Sequence, residues 1–406
     1  MRDTRDTQDI REERDPAAPV TEQPDTAQSP HGQPPLWRRL LRRDVRFGML
    51  VLAALLVTVL IISRVPAAPS TPSTSTPTRQ ASGPTPALSQ SGAIARPANA
   101  QIIPMPTSRA GLMQPAADAQ GNIWVGEMVT NKLARINSRT GEVTEWTPPN
   151  GKYNIMATAI DRQGNVWFTE QAANYIGRFD PATQTFTIYS LDATVAPRMA
   201  PQDLAFDAKG NLWFTLLGGQ IARLNPTTGA IQSWQVPRPE GVARAYPFSL
   251  VITPSSVWFG YLTGGMLGRF DLATEKITLT PLSHRQAAVY AMAVDGSGRI
   301  WFTEMQPAVL GNIDPATGKV AELVVPTLLG DPSILYSLVA TADGSVWFAS
   351  AGANALVRYQ PAKDLFTFYQ LPASQSIPFG LTLGHDGGIW ISGDGGADNY
   401  VARVTA

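Results

Sequence analysis

The chain runs to 406 residues, with 32 basic and 32 acidic side chains, a formal net charge of zero and no cysteine. Without cysteine, disulfides, thiolate metal centres and cysteine nucleophiles are excluded. The balanced charge offers no electrostatic footprint for nucleic acid or another polyanion.

Residues 1–36 are polar, rich in Asp, Glu, Arg, Pro and Gln, and read as a disordered tail for want of apolar surface. Residues 37–64 begin with Trp37 and a basic cluster, Arg38, Arg39, Arg42, Arg43 and Arg46, and continue as the uncharged apolar run Phe47 to Ser63. As a helix this run reaches about 25 Å, the short end of what spans a bilayer. The arginines place its N-terminal side in the cytoplasm and the remainder of the chain outside. A signal peptide cut near Pro66 is the rival reading, but the charged lead is much longer than a signal n-region. The expectation is therefore one uncleaved anchor in the plasma membrane. Residues 65–100 are Pro, Ser, Thr and Ala with few bulky apolar side chains, and read as a semi-extended tether.

From residue 101 to 406 the chain repeats. Trp124, Trp167, Trp213, Trp258, Trp301, Trp347 and Trp390 are spaced by 43, 46, 45, 43, 46 and 43 residues. Each sits in an apolar strand opened by a turn, as in GNIWVGE, GNVWFTE and GRIWFTE, and most are preceded by Asp-x-x-Gly. Asp bonds its own backbone in a tight turn and Gly accepts positive φ. A third strand such as Tyr175 to Thr183 and an outer strand such as Thr185 to Leu191 complete each unit. Four short strands at this period predict an all-β fold, a seven-bladed β-propeller of four-stranded antiparallel blades, preceded by one transmembrane helix and the tail. The last repeat stops before its fourth strand, so a strand at about 101–106 is expected to close it and cover an exposed edge. The tryptophans are expected to pack between blades. The recurring third-strand arginines (Arg135, Arg178, Arg223, Arg269, Arg358, Arg403, with Asn312 as exception) are expected to make a repeated inter-blade hydrogen bond.

Candidate chemistry follows from hairpin geometry. In a regular hairpin the residue eleven before each Trp faces the residue three after it on the same rim of the central channel. The later positions carry Glu127, Glu170, Leu216, Tyr261, Glu304, Ser350 and Gly393; the earlier ones carry Met113, Met156, Gln202, Phe248, Tyr290, Tyr336 and Phe379. Glu127, Glu170 and Glu304 are candidates to converge on Mg²⁺ or Ca²⁺, with Asn154 as a neutral ligand. Each glutamate bonding the backbone or a Tyr of the neighbouring blade is the alternative. Phe248, Tyr261, Tyr290, Tyr336 and Phe379, with Gln202, are candidates for an apolar, partly hydrogen-bonding pocket, or for a plug of the channel.

The pattern Asp-x-x-Gly-x-x-Trp-Phe-Thr-Glu followed by Ile-Gly-Arg-Phe-Asp-Pro-Ala-Thr resembles the repeats of the virginiamycin B lyase (streptogramin lyase) family, over about residues 101–406. The resemblance implies a seven-bladed propeller and a magnesium-dependent elimination that opens a cyclic depsipeptide. It also implies Glu-x-His at the earlier position of an active blade, with Glu fourteen residues after the His. Here Glu127, Glu170 and Glu304 fill the last place, while Met113, Met156 and Tyr290 stand where the His would be, and Gly111, Asn154 and Ala288 where the preceding Glu would be. Only His31, His284 and His385 occur in the chain, none of them in those places. His284 is expected in a solvated loop.

Three functions stay open. One is a monomeric, membrane-tethered binding module for a small or cyclic peptide-like ligand or a cell-envelope component, which the missing His favours. The others are a metal-dependent carbon–oxygen lyase with Glu304 or Glu170 as base and a calcium-dependent lactonase-type hydrolase.

Overall fold

The computed structural model describes residues 92–149, 154–191, 199–305, 307–328, 334–372, 377–394 and 399–405. The chain divides into Met1–Thr78 and Arg79–Ala406, and all of the described residues belong to the second unit. The expected tail, anchor and most of the tether lie outside them. Among the described residues no helix is long and apolar enough to cross a membrane.

Seven sheets follow one another along the chain, and in each the strands pair in sequence order from the centre outward. Blade 3 shows the pattern: Pro201–Phe206, Leu212–Leu216, Gln220–Leu224 and Ile231–Gln235, all antiparallel. The innermost strands (Ala116–Ala117, Ile155–Ile160, Pro201–Phe206, Pro247–Thr253, Val289–Val294, Leu335–Ala340, Ile377–Leu383) each touch the next, and the last touches the first. The result is a seven-bladed propeller closed around a central channel.

Closure uses two strands from the N-terminal side. Asn99–Pro104 pairs antiparallel with Asn399–Thr405 and supplies the outer strand of blade 7. Gly92–Pro97 lies parallel to Leu365–Gln370, a fifth strand on blade 6. The composition of residues 92–100 reads as tether, yet Gly92–Pro97 is strand. Edge pairing draws on backbone N–H and C=O groups and demands little from side chains, so the exposed small residues there gave no periodic signal.

The repeated motif has a definite job in each blade. Asp118 Oδ1 accepts from the N–H of Gln120 and Asn122, and Oδ2 accepts from Trp124 Nε1 at 2.8 Å. Asp161, Asp207 and Asp295 hold Trp167, Trp213 and Trp301 the same way. The turn thereby fixes the indole, and the glycine, at φ 85° for Gly121, takes the left-handed position the turn requires. Each indole packs into the next blade: Trp124 meets Phe179 at 5.8 Å and Trp213 meets Phe270 at 5.3 Å between ring centroids. The glycine of Ile-Gly-Arg-Phe is required by the phenylalanine after the Trp, since a Cβ on Gly177 would stand 2.1 Å from Phe168 Cζ.

The third-strand arginines differ from the expectation of an inter-blade hydrogen bond. Trp167 and Arg178 are cross-strand partners, and the guanidinium lies over the indole of its own blade at 6.0 Å. Arg223, Arg269 and Arg358 cover Trp213, Trp258 and Trp347 at 5.5, 5.8 and 5.3 Å. A planar cation on an aromatic face is worth about 0.5–1 kcal/mol at exposed sites, and here it also shields the outer side of the indole. In blade 5 Asn312 replaces the arginine and accepts from Arg299 Nη1 at 2.8 Å.

The innermost strands are bulged. The pairing slips by one residue between Ile155 and Thr158, Pro201 and Leu204, Pro247 and Leu250, Val289 and Ala291, Leu335 and Leu338, and Pro378 and Gly380. A hydroxyl two residues after the Trp secures several of these bulges. Thr215 Oγ1 accepts from Asp203 N at 3.1 Å and donates to Phe248 O of the next blade at 2.7 Å. Thr169 bridges Ala157 N to Gln202 O, and Ser392 bridges Gly380 N to Met113 O. Thr303 donates to Tyr336 O.

Replacing Thr215 by Val leaves two buried backbone groups without partners and should cost about 1–3 kcal/mol in denaturant unfolding. Removal of residues 99–104 opens the ring. Ile103, which is 5% exposed, is lost with them. A buried isoleucine alone carries about 2–5 kcal/mol, so thermal unfolding should show a drop of at least that order. Unchanged melting would refute the closure.

Candidate functional site

The mouth of the channel is formed where the inner strands begin. Met113, Met156, Gln202, Phe248, Tyr290 and Phe379 line a cavity of about 170 Å³ there, with Asp203, Ser249 and Ser337 one residue deeper. Four of the five aromatics singled out in the sequence form one continuous cluster. Phe248 meets Tyr290 at 4.9 Å, Tyr290 meets Tyr336 at 4.9 Å, and Tyr336 meets Phe379 at 4.5 Å. Tyr261 stands apart from it. That side chain is fully buried between blades 3 and 4 and its hydroxyl donates to Pro237 O at 2.8 Å. Gln202 stays at the mouth, where its Oε1 accepts from Gln171 Nε2.

The glutamates do not line this channel, and among the described residues they do not come together as metal ligands. The bulge is the reason. An unbroken hairpin would set Met156 opposite Glu170; the slip instead sets Ile155 opposite Glu170 and Val289 opposite Glu304. A one-residue change of register exchanges the two faces of a strand. The inner residue that faces the channel is therefore not the one paired with the glutamate, and each glutamate is fully buried outside the cavity lining. Glu127 Oε2 accepts from Thr130 Oγ1, and Glu170 Oε2 accepts from Ala173 N. Asn154, at φ 73°, donates to Gln171 Oε1 at 3.4 Å. Glu127, Glu170, Glu304 and Asn154, expected to hold Mg²⁺ or Ca²⁺, are therefore not brought together as one ligand set.

Two of the glutamates do meet a second carboxylate. Glu127 is pushed up to about 7, chiefly by burial, against the opposing bond from Thr130 and with Glu145 nearby. Glu304 is pushed up to about 9 by burial and then by the adjoining Glu322. His284, expected in solvent, is 44% exposed, but its Nδ1 lies 3.7 Å from Glu304 Oε2. His385 is exposed in the turn between the first two strands of blade 7, far along the chain from any strand start at the mouth.

The sequence reading missed Asp203. The bulge turns both Gln202 and Asp203 toward the channel, and a carboxylate at a strand position without periodicity gives no pattern to find. Asp203 Oδ2 accepts from Leu250 N at 2.9 Å and Oδ1 from Leu204 N at 2.9 Å. Burial nevertheless prevails over these bonds and raises it to about 6. Tyr290 above it is held protonated, well above the usual tyrosine range, by burial first and then by Tyr336 and Asp203. The mouth thus combines aromatic faces, phenol hydroxyls and one carboxylate tuned near neutrality.

The sequence profile of the virginiamycin B lyase family matches residues 85–224 and 193–404. The chain belongs to that family. No curated protein sequence matches it. Among solved structures, a streptogramin B lyase shares 24% identity at TM-score 0.67, covering 75% of this chain and 97% of that one. A catalytically inactive virginiamycin B lyase from Staphylococcus aureus, crystallised with quinupristin, is 24% identical at TM-score 0.67 and covers 76% and 99%. An extracellular domain ascribed to a hybrid two-component system of B. thetaiotaomicron is 14% identical at TM-score 0.55, over 72% of this chain and 40% of that one. At these identities the structures establish the family member's propeller and leave its reaction open.

Asp203 gives a signed test. Its folded pKa of about 6 lies above the 3.8 of a free aspartate, so the native state keeps its proton at pH values where the unfolded chain has lost it. Stability from this group is full below the unfolded pKa and is lost as pH rises through the folded one. Asp203→Asn should remove that decline, measured by thermal unfolding of both proteins between about pH 4 and pH 7. An unchanged profile would place the titration elsewhere.

Proposed function

We propose that this family member is a ligand-binding propeller that holds a small or cyclic peptide-like molecule, or a peptide-like component of the cell envelope, at the aromatic mouth of its channel. The observation that carries the reading is the composition of the mouth. The rim positions hold Met113, Met156, Gln202, Phe248, Tyr290, Tyr336 and Phe379, with no imidazole among them, while four aromatics stand in mutual contact. Such a surface offers large apolar faces with a few hydroxyl and amide contacts, the usual makeup of a small-molecule site. It supplies no histidine to remove the proton that a lyase of this family must take, which favours binding over elimination.

The module sits outside the plasma membrane as a monomer, on a single-pass anchor at residues 47–63 with its N-terminus in the cytoplasm. The arginine cluster before the apolar run supports that orientation. The extracellular propeller from B. thetaiotaomicron shows that the fold serves outside the cell in another protein.

One observation favours a second reading, a carbon–oxygen lyase or lactonase-type hydrolase. Asp203, near neutrality at about 6, has the pKa of a working general base. Quinupristin, the molecule named with the S. aureus enzyme, separates the two. We expect saturable binding to the full chain, weakened at least tenfold by Tyr336→Ala or Phe379→Ala, with the ligand recovered intact by chromatography. Ring-opened product of unchanged mass would signify elimination, and product heavier by one water would signify hydrolysis. Loss of either product in Asp203→Asn would establish the second reading.

A further inference from the structure

Blades 1 and 5 carry the same buried arrangement with one difference. In blade 1, Glu127 ends the second strand opposite Lys132, and Glu145 on the outer strand lies opposite Ala134. In blade 5, Glu304 ends the second strand opposite Val309, and Glu322 on the outer strand lies opposite Gly311. The connection from the preceding blade supplies a matching hydroxyl. Thr107 donates from N and Oγ1 to Glu145, and Ser283 donates from N and Oγ to Glu322.

Only the cation differs. Lys132 Nζ donates to Glu145 Oε2 and to Thr107 Oγ1, both at 2.6 Å, and neutralises the pair in blade 1. Valine occupies that place in blade 5, and His284 comes in beside the carboxylates instead. One donor atom from each of His284, Glu304 and Glu322 lies within 4.8 Å of the other two, the sole such group of three among the described residues. Glu304 is fully buried, and apart from the adjoining Glu322 carboxyl no protein group bonds its carboxylate oxygens. Glu322 beside it is half-buried, and the two carboxylates are ionised together only where a positive charge joins them; otherwise one keeps a proton.

We propose that His284, Glu304 and Glu322 bind a divalent transition cation of the zinc class, which takes the place that Lys132 fills in blade 1. One imidazole nitrogen with two carboxylate oxygens suits zinc, whereas calcium and magnesium prefer oxygen-only shells. Ligand atoms of a tetrahedral zinc site stand about 3.4 Å apart, close to the 3.7 Å between His284 Nδ1 and Glu304 Oε2. Three protein ligands leave a fourth position open, as in zinc sites that meet substrate. His284 is followed by Arg285 and Gln286, which line a cleft of about 490 Å³ with Glu240, Val242 and Thr263. This site is separate from the aromatic mouth and stands or falls without it.

The experiment loads the tag-free full chain with Zn²⁺ alone, removes excess and measures bound metal together with the melting temperature. One zinc per chain and a raised melting temperature are expected. His284→Ala, which changes an exposed side chain, should lose the zinc and the shift, as should Glu322→Gln. Val309→Lys, which restores the blade 1 cation, should bind no zinc and melt without metal at or above the metal-free parent. Glu145→Gln in blade 1 should load as the parent does. The proposal is overturned if the parent takes up no zinc, if His284→Ala takes up as much as the parent, or if Mg²⁺ or Ca²⁺ alone saturates the site.

Discussion

The bulge at the start of each inner strand, and the hydroxyl that spans it, govern the rest of the molecule. An extra residue in the inner strand turns two consecutive side chains toward the axis and leaves a backbone N–H without its ladder partner. Thr169, Thr215 and Ser392 accept that N–H and pass their own proton to a carbonyl of the adjoining blade. A local defect in pairing thus becomes a bond between sheets. The same contact that sets blade against blade also sets which residues reach the channel, so fold and site have one origin.

Where the hydroxyl is absent, the arrangement changes. Blade 1 has Gly126 in that position, blade 4 Gly260 and blade 6 Ala349. In blades 4 and 6 the polar atom sits on the inner strand instead, as Ser249 and Ser337, whose hydroxyls are buried without a protein partner, and in blade 1 Gln114 Nε2 donates to Leu381 O of blade 7. Gly260 has no room for a larger side chain, since a Cβ would stand 2.3 Å from Val289 Cγ1 and 2.9 Å from Ser249 Oγ. The wall of the channel is accordingly uneven, with Asp203, Ser249 and Ser337 presenting polar atoms from three different blades. An asymmetric wall within a symmetric ring is what orientation-specific binding of a small molecule requires.

The architecture was legible because it rests on side chains that recur. The Asp-x-x-Gly turn and the Trp it holds recur in four blades, and the Gly beneath Phe168, Phe259 and Phe302 in three, so the period carries the contact. The aromatic mouth was legible too, for Phe248, Tyr290, Tyr336 and Phe379 fall at one offset from the Trp. The glutamates were assigned to the same rim by assuming an unbroken hairpin. Nothing in the residues of Ile155–Ile160 marks the bulge that sets Ile155 rather than Met156 opposite Glu170, because its partner is the hydroxyl of Thr169 on another strand. Tyr261 was assigned with them and is displaced for the same reason. Asp203 was hidden by the converse effect, since a bulge brings inward a residue that alternation places outward.

The repeat also explains where divergence is cheap. The turn aspartate and the buried glycine each answer to an aromatic of their own blade, while the indole and the hydroxyl answer to the adjoining blade, where altering one strains two sheets. The strand ends and the connections between blades answer to fewer partners. Blade 1 completes its buried carboxylate pair with Lys132 from its own sheet, whereas blade 5 has Val309 there and draws on His284 from a connection. A lysine in the strand makes the charge balance part of the fold and permanent. A histidine in a connection leaves that balance to be finished by whatever positive charge comes from outside. The propeller can therefore keep one rigid frame and still place, in a single blade, a group whose state depends on its surroundings.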